Sequence, residues 1–186
     1  MNSFFSDQEL KDLGLKSYGT NVLISRKSSL YNPEKMALGD NVRIDDYCIL
    51  SGAIEVGSYV HISAFCALYG GGGIKINDHS GLSPRCSLFS HSDDFSGICA
   101  IGPMYRDEDR NIVSMPILID KYSQVGSGSV ILPGIKVPEG FSCGAMTLLN
   151  KDDLKPWSIY VGSPARKIGN RSGKVKKIIS RAYDKY

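Results

Sequence analysis

Three histidines are the only imidazoles in the chain, and one of them, His91, is followed closely by two carboxylates, Asp93 and Asp94. An imidazole accepts a proton from an attacking nucleophile near neutral pH, and a nearby carboxylate can orient the ring and stabilise its charged form. His91 with Asp94 is therefore the candidate proton-handling pair. A ligand-positioning or purely structural role stays open for His91, and His79 is the alternative base. The five cysteines include no C-x-x-C pair, which argues against zinc and redox motifs.

Groups of this kind act only where a scaffold holds them, and the scaffold is written in a repeat. From Ile119 the chain steps by six through Val125, Ile131, Val137, Cys143 and Leu149. From Leu38 it does the same through Ile44, Leu50, Val56, Ile62 and Leu68. A slip of eight, absorbing Gly70 to Gly73, leads to Ile76, Leu82 and Leu88, and a slip backwards reaches Leu30 and Ile24. Of these 17 positions 16 are Ile, Leu or Val, although only 43 of 186 residues are of those types, so chance does not produce the register. Four places after the aliphatic residue comes something small or β-branched, as at Val42, Cys48, Val60, Cys66, Ser80, Cys86, Ser129 and Thr147.

A period of six fits neither a helix nor a long strand; it fits short strands joined by tight corners. Three units make one triangular coil, and five to six coils stacked at the sheet spacing predict a parallel β-helix roughly 25 Å tall. Four of the five cysteines then read as buried fillers, with Cys99 alone outside the repeat. Residues 1–20, with the capping box Ser6 to Glu9, read as an N-terminal helical cap. The β-helix covers 21–170, with Trp157 and Tyr160 packing on the last coil. A basic helix covers 171–186, where Arg171, Lys174, Lys176, Lys177, Arg181 and Lys185 crowd together. That tail reads as a solvated face or as a phosphate contact. The repeat is broken once, between Leu88 and Ile119, by an insertion at 90–116, and a long excursion in a compact fold is usually functional. It holds His91 and both carboxylates.

Composition narrows the classes. A net charge of +3 is too small to imply nucleic-acid binding. No apolar run is long enough to span a membrane. The start lacks the basic and apolar regions of a signal peptide, so the expectation is a cytoplasmic protein.

The run Ile119-Asp-Lys-Tyr-Ser-Gln-Val-Gly-Ser-Gly-Ser-Val-Ile-Leu-Pro-Gly-Ile, then Gly144-Ala-Met-Thr, then Val161-Gly-Ser-Pro-Ala-Arg-Lys-Ile168, resembles the signature of bacterial hexapeptide-repeat sugar acyltransferases. The resemblance implies an all-β, left-handed parallel β-helix working as a homotrimer. Acyl-CoA, acetyl or longer, would lie between neighbouring subunits as co-substrate, with no metal. Gly126 and Ser127 would then flank the thioester, Gly144 and Ala145 would make room for the pantetheine arm, and Lys151 and Arg166 would meet CoA phosphate and adenine. Arg85, Asp93 and Tyr105 are the candidate contacts to sugar or phosphate. Asp93-Asp94-Phe95-Ser96-Gly97 and the Asn32-Pro33 corner resemble members that acylate nucleotide-linked 4-amino-6-deoxy sugars, for glycan or polysaccharide biosynthesis. The alternatives are an O-acetyltransferase acting on a sugar hydroxyl and, more remotely, a zinc-binding or catalytically silent β-helix. Zinc would need His61, His79 and His91 to converge.

Overall fold

The computed structural model describes residues 3–183, which leaves Lys185 of the basic tail outside the described residues. The chain winds as a parallel β-solenoid with three faces, and the aliphatic period forms its interior columns. On the first face Leu38, Val56, Ile76, Ile119 and Val137 are stacked in register. The third face stacks Leu30, Leu50, Leu68, Leu88, Ile131 and Leu149 in the same way. The second face carries Ile24, Ile44, Ile62, Leu82, Val125 and Cys143, and ends on Tyr160. Sixteen of the 17 positions read from the repeat are buried, and Leu30, in the lowest layer of its face, is half-buried. Each fully buried aliphatic side chain contributes about 1.5–3 kcal/mol, so these columns dominate the stability of the solenoid.

The second face shows seven parallel layers, more than the five to six coils expected. The additional layer is Ser158–Val161, whose inward residue is Tyr160 rather than an aliphatic one, packed on Phe141 with ring centroids 5.3 Å apart. The stack is then roughly 29 Å tall at the sheet spacing. Arg166–Asn170 returns antiparallel on this layer and covers its open edge.

Corners are built from residues with positive φ, and where these are not glycine they stack as ladders outside the prism. Between the first and second faces Tyr59, His79 and Tyr122 lie face to face, with centroids 5.1 and 5.3 Å apart. Trp157 continues this ladder over Gly140, where a β-carbon would come within 2.4 Å of the indole. Arg171 donates to the carbonyls of Tyr122, Gly140 and Phe141, and the Lys176 ammonium sits 4.9 Å from the Trp157 ring centre. These two basic residues clamp the end of the solenoid. Helix α1 (Asp7–Asp12) is held by the Ser6–Glu9 capping box and buries Leu10, while helix α2 (Lys174–Tyr183) ends the described chain.

Cys48, Cys66, Cys86 and Cys143 are buried, and burial pushes the Cys143 thiol above its ordinary range, as inert fillers require. Among the described residues no helix is long and apolar enough to cross a membrane.

The insertion leaves and returns at the corner between the third and first faces. It is not irregular throughout: His91–Asp93 pairs antiparallel with Ile112–Ser114, forming a hairpin neck. Beneath it the solenoid closes without a gap, Leu88 pairing directly with Ile131 and Ile76 with Ile119.

Candidate active site

The hairpin neck stands beside an aromatic wall. Tyr69 and Phe89 each follow an inward leucine, so both point outward at the same height on neighbouring coils. Their rings stack at 5.2 Å with planes 13° apart. Phe95, Pro103 and Ile112 face them, and the cleft between, about 350 Å³, is floored by His91, Ser92, Asp93 and Arg110. This volume falls within the range of small-molecule sites, which combine apolar walls with few polar groups.

The glycine run makes room for the imidazole. A β-carbon on Gly71 would lie 2.4 Å from His91 Nδ1, and one on Gly72 would meet the Ser90 carbonyl at the same distance. Gly70 to Gly73 therefore do more than absorb a slip in the repeat. His91 Nδ1 is buried against this run with no hydrogen-bond partner among the described residues. The carboxylate that the sequence leads one to expect on this ring is absent. Asp94 instead accepts from the Ser96 amide at 2.8 Å and from Asn111 Nδ2 at 2.9 Å. Those bonds hold its carboxyl below the usual range, and they tie the hairpin tip rather than the cleft. Asp93 does face the cleft, where its carboxylate meets Arg110 at 3.3 Å.

The remaining candidates lie elsewhere. Tyr105 is exposed on the insertion and does not line the cleft. Arg85 stands on the corner between the second and third faces, its guanidinium 5.8 Å from the Phe65 ring centre. The next layers of that corner hold the candidate CoA residues. Gly126 lies under Gly144, so closely that a β-carbon would come within 2.5 Å of the Gly144 backbone. Ser127 and Ala145 are exposed beside them, and Arg166 is exposed on the closing strand, near Gly162. Lys151 is exposed just past the last inward leucine. One chain thus carries the cleft on one corner and the small-residue edge on another. Five residue steps, from Arg85 to Ser90, separate the two edges by roughly 15 Å.

The other histidines do not join His91. His61 sits on the second face with Nε2 2.7 Å from Asp45, and His79 belongs to the corner ladder. Among the described residues no group of three or more His, Cys, Asp or Glu is arranged to hold a metal ion.

No family model matches the chain. It is 35% identical over 181 residues to the dTDP-4-amino-4,6-dideoxy-D-glucose acyltransferase of Escherichia coli, covering 96% of this chain and 94% of that one. The chain belongs to the hexapeptide-repeat acyltransferases of nucleotide-linked amino sugars. Solved members of this family superimpose on it end to end. AntD, an N-acyltransferase from Bacillus cereus in complex with dTDP and 3-hydroxybutyryl-CoA, is 43% identical with a TM-score of 0.96, covering 100% of this chain and 98% of that one. An AntD variant in complex with dTDP-4-amino-4,6-dideoxyglucose and coenzyme A gives 42% and 0.97 over the full length of both. The maltose O-acetyltransferase of Clostridium difficile shares the fold alone, at 17% identity and a TM-score of 0.61 over 92% of this chain and 80% of that one.

The residues that sequence reasoning missed are Arg110, Tyr69, Phe89 and Gly71. The aromatic pair was within reach, since the register alone sends Tyr69 and Phe89 outward at one level. Arg110 was not, because its role depends on a hairpin that no period announces.

Proposed function

We propose that this protein transfers an acyl group from acyl-CoA to the 4-amino group of a dTDP-linked 4-amino-4,6-dideoxy sugar. The observation that carries this reading is the full-length likeness to an AntD variant holding both that amino sugar and coenzyme A, in a chain whose insertion walls a cleft floored by Asp93 and Arg110. The amine nitrogen attacks the thioester carbon, the C–N bond forms and the carbonyl oxygen takes the charge. The C–S bond then breaks, and the nitrogen loses a proton as CoA leaves. The N-acylated nucleotide sugar is a donor for glycan assembly, the use we assign to it.

The site is built from two chains of a homotrimer in this reading. The two corners lie a face width apart, so a cleft completes only against the small-residue edge of a neighbour. There Gly126 and Ser127 meet the thioester, Gly144 and Ala145 flank the pantetheine, and Arg85, Lys151 and Arg166 line the path of the CoA phosphates. Asp93 receives the sugar's amine.

His91 meets the substrate through Nε2, because Nδ1 is sealed against Gly71. Nδ1 is unpaired in either neutral tautomer, but a base must become an imidazolium, and its Nδ1–H would then lie buried beside Gly71 with neither an acceptor nor a carboxylate to balance the charge. His91 therefore acts as an Nε2–H donor that positions the acceptor, and the departing thiolate takes the proton.

The test is CoA thiol release with acetyl-CoA and 3-hydroxybutyryl-CoA against dTDP-4-amino-4,6-dideoxyglucose, its 4-hydroxy analogue and plain galactosides. Release with the amino sugar alone is the expected result. Release with the hydroxy sugars alone would move the protein to O-acylation, and no release with any pair would remove the enzyme reading.

A further inference from the structure

Arg110 is the one cation on the cleft floor, and its surroundings set it apart from the surface arginines. Its side chain is 13% exposed. One guanidinium nitrogen lies 3.3 Å from Asp93 and another 3.5 Å from Asp107, while Nε is buried with no partner among the described residues. Asp93 in turn has Arg110 as its only side-chain partner among the described residues, and only one of its two oxygens is engaged. The two residues come from opposite legs of the insertion, so the pair staples the neck just where the cleft opens.

An amine acceptor gives this pair a chemical meaning. A lone carboxylate between apolar walls would bind the acceptor as an ammonium ion, whose nitrogen has no lone pair to attack with. A carboxylate already matched by a guanidinium has its charge cancelled and still offers its second oxygen as an acceptor. We propose that Arg110 is a positioning residue for acyl transfer: it holds Asp93 by one oxygen and balances its charge, so that the other oxygen takes an N–H of the neutral amine and aims the lone pair at the thioester. Besides Arg110, the titratable groups that share the cleft with Asp93 are His91 on its own strand and Tyr69 from the aromatic wall; Asp107 lies 3.5 Å from Arg110, but its side chain is fully exposed and water screens its charge. Asp109 is engaged by Arg106 at 2.8 Å. Arg110 is thus the cation that meets the Asp93 charge.

This inference rests on the amine-acylation reading, and the pH dependence of kcat in steady-state kinetics separates the two. Arg110→Gln is expected to lower kcat at pH 7 about tenfold, without raising KM for the amino sugar, and to move the acid limb of kcat up by about one pH unit. Adding Asp93→Asn removes the uncompensated charge and is expected to return the limb to its wild-type position. Far-UV circular dichroism and melting temperature establish that each variant is folded. A limb that stays in place in folded Arg110→Gln, or a loss confined to KM and melting temperature, overturns the proposal. If Arg110→Gln does not fold, the double variant decides: a limb at the wild-type position supports charge balance, and a limb moved up overturns it. A wild-type enzyme inactive on the amino sugar would instead sink the underlying reading, and this inference with it.

Discussion

At the scale of single residues, the cleft is decided by which atoms lack partners. His91 presents to Gly71 a nitrogen with no hydrogen-bond partner among the described residues, and the expected aspartate is engaged two residues on, at Ser96. This argues for a donor in place of a base, with a quantitative consequence. Removing a general base costs roughly 100-fold or more in kcat. His91→Asn, which keeps an N–H near the same place, is expected to retain activity within roughly tenfold of wild type on the amino sugar, since one neutral hydrogen bond is worth about 1 kcal/mol. Single-turnover rates with saturating acyl-CoA measure this directly, and a fall beyond roughly 100-fold would restore the imidazole as base.

The elements are corners and columns, and here the sequence speaks unevenly. The interior columns were legible because the inward site recurs at a fixed step and only aliphatic side chains fill it well. The seventh layer was missed because Tyr160 fills that site with an aromatic ring and stands one residue off the step from Cys143. The cleft was legible only as a place: the insertion marked it, but the neck depends on two three-residue strands pairing across some twenty residues, with no period to betray them. The corner ladders were not legible either, since a positive-φ tyrosine and an ordinary one look alike in sequence. One ladder carries a pH consequence. His79 lies between Tyr59 and Tyr122, and burial lowers its pKa from the usual value near 6.5. A group whose folded pKa is depressed contributes stability that is complete above its unfolded pKa and is lost as pH falls below it. Between about pH 7.5 and about pH 5 the wild type should therefore lose more thermal stability than His79→Tyr, which keeps the stack without the titration. Parallel melting curves across that range would contradict this if their pH slopes coincided.

For the whole molecule, the proposed trimer makes activity a property of the assembly, because cleft and small-residue edge stand on different corners of one chain. Two inactive variants, one with the cleft disabled by Gly71→Val, whose side chain would collide with His91, and one carrying Gly126→Val, should complement when mixed and reassembled. Random mixing of equal amounts in a closed ring leaves roughly a quarter of the sites with both parts intact. Sedimentation equilibrium of the wild type should give three copies per particle. Recovery of no activity from the mixture, with mixed trimers verified by mass, would mean that each chain completes its own site.

The uninterrupted pairing beneath the insertion has a last consequence. Because Leu88 meets Ile131 and Ile76 meets Ile119 directly, and Met115 donates its amide to Ser90 where the two legs part company, the segment between them is a cassette seated on a finished scaffold. In the proposed reading, acceptor choice can then drift, or be grafted from one relative to another, as an exchange of about 25 residues that leaves the Gly126 to Ala145 edge untouched. Evolution on such a frame is free to vary what is acylated while conserving the machinery that delivers the acyl group.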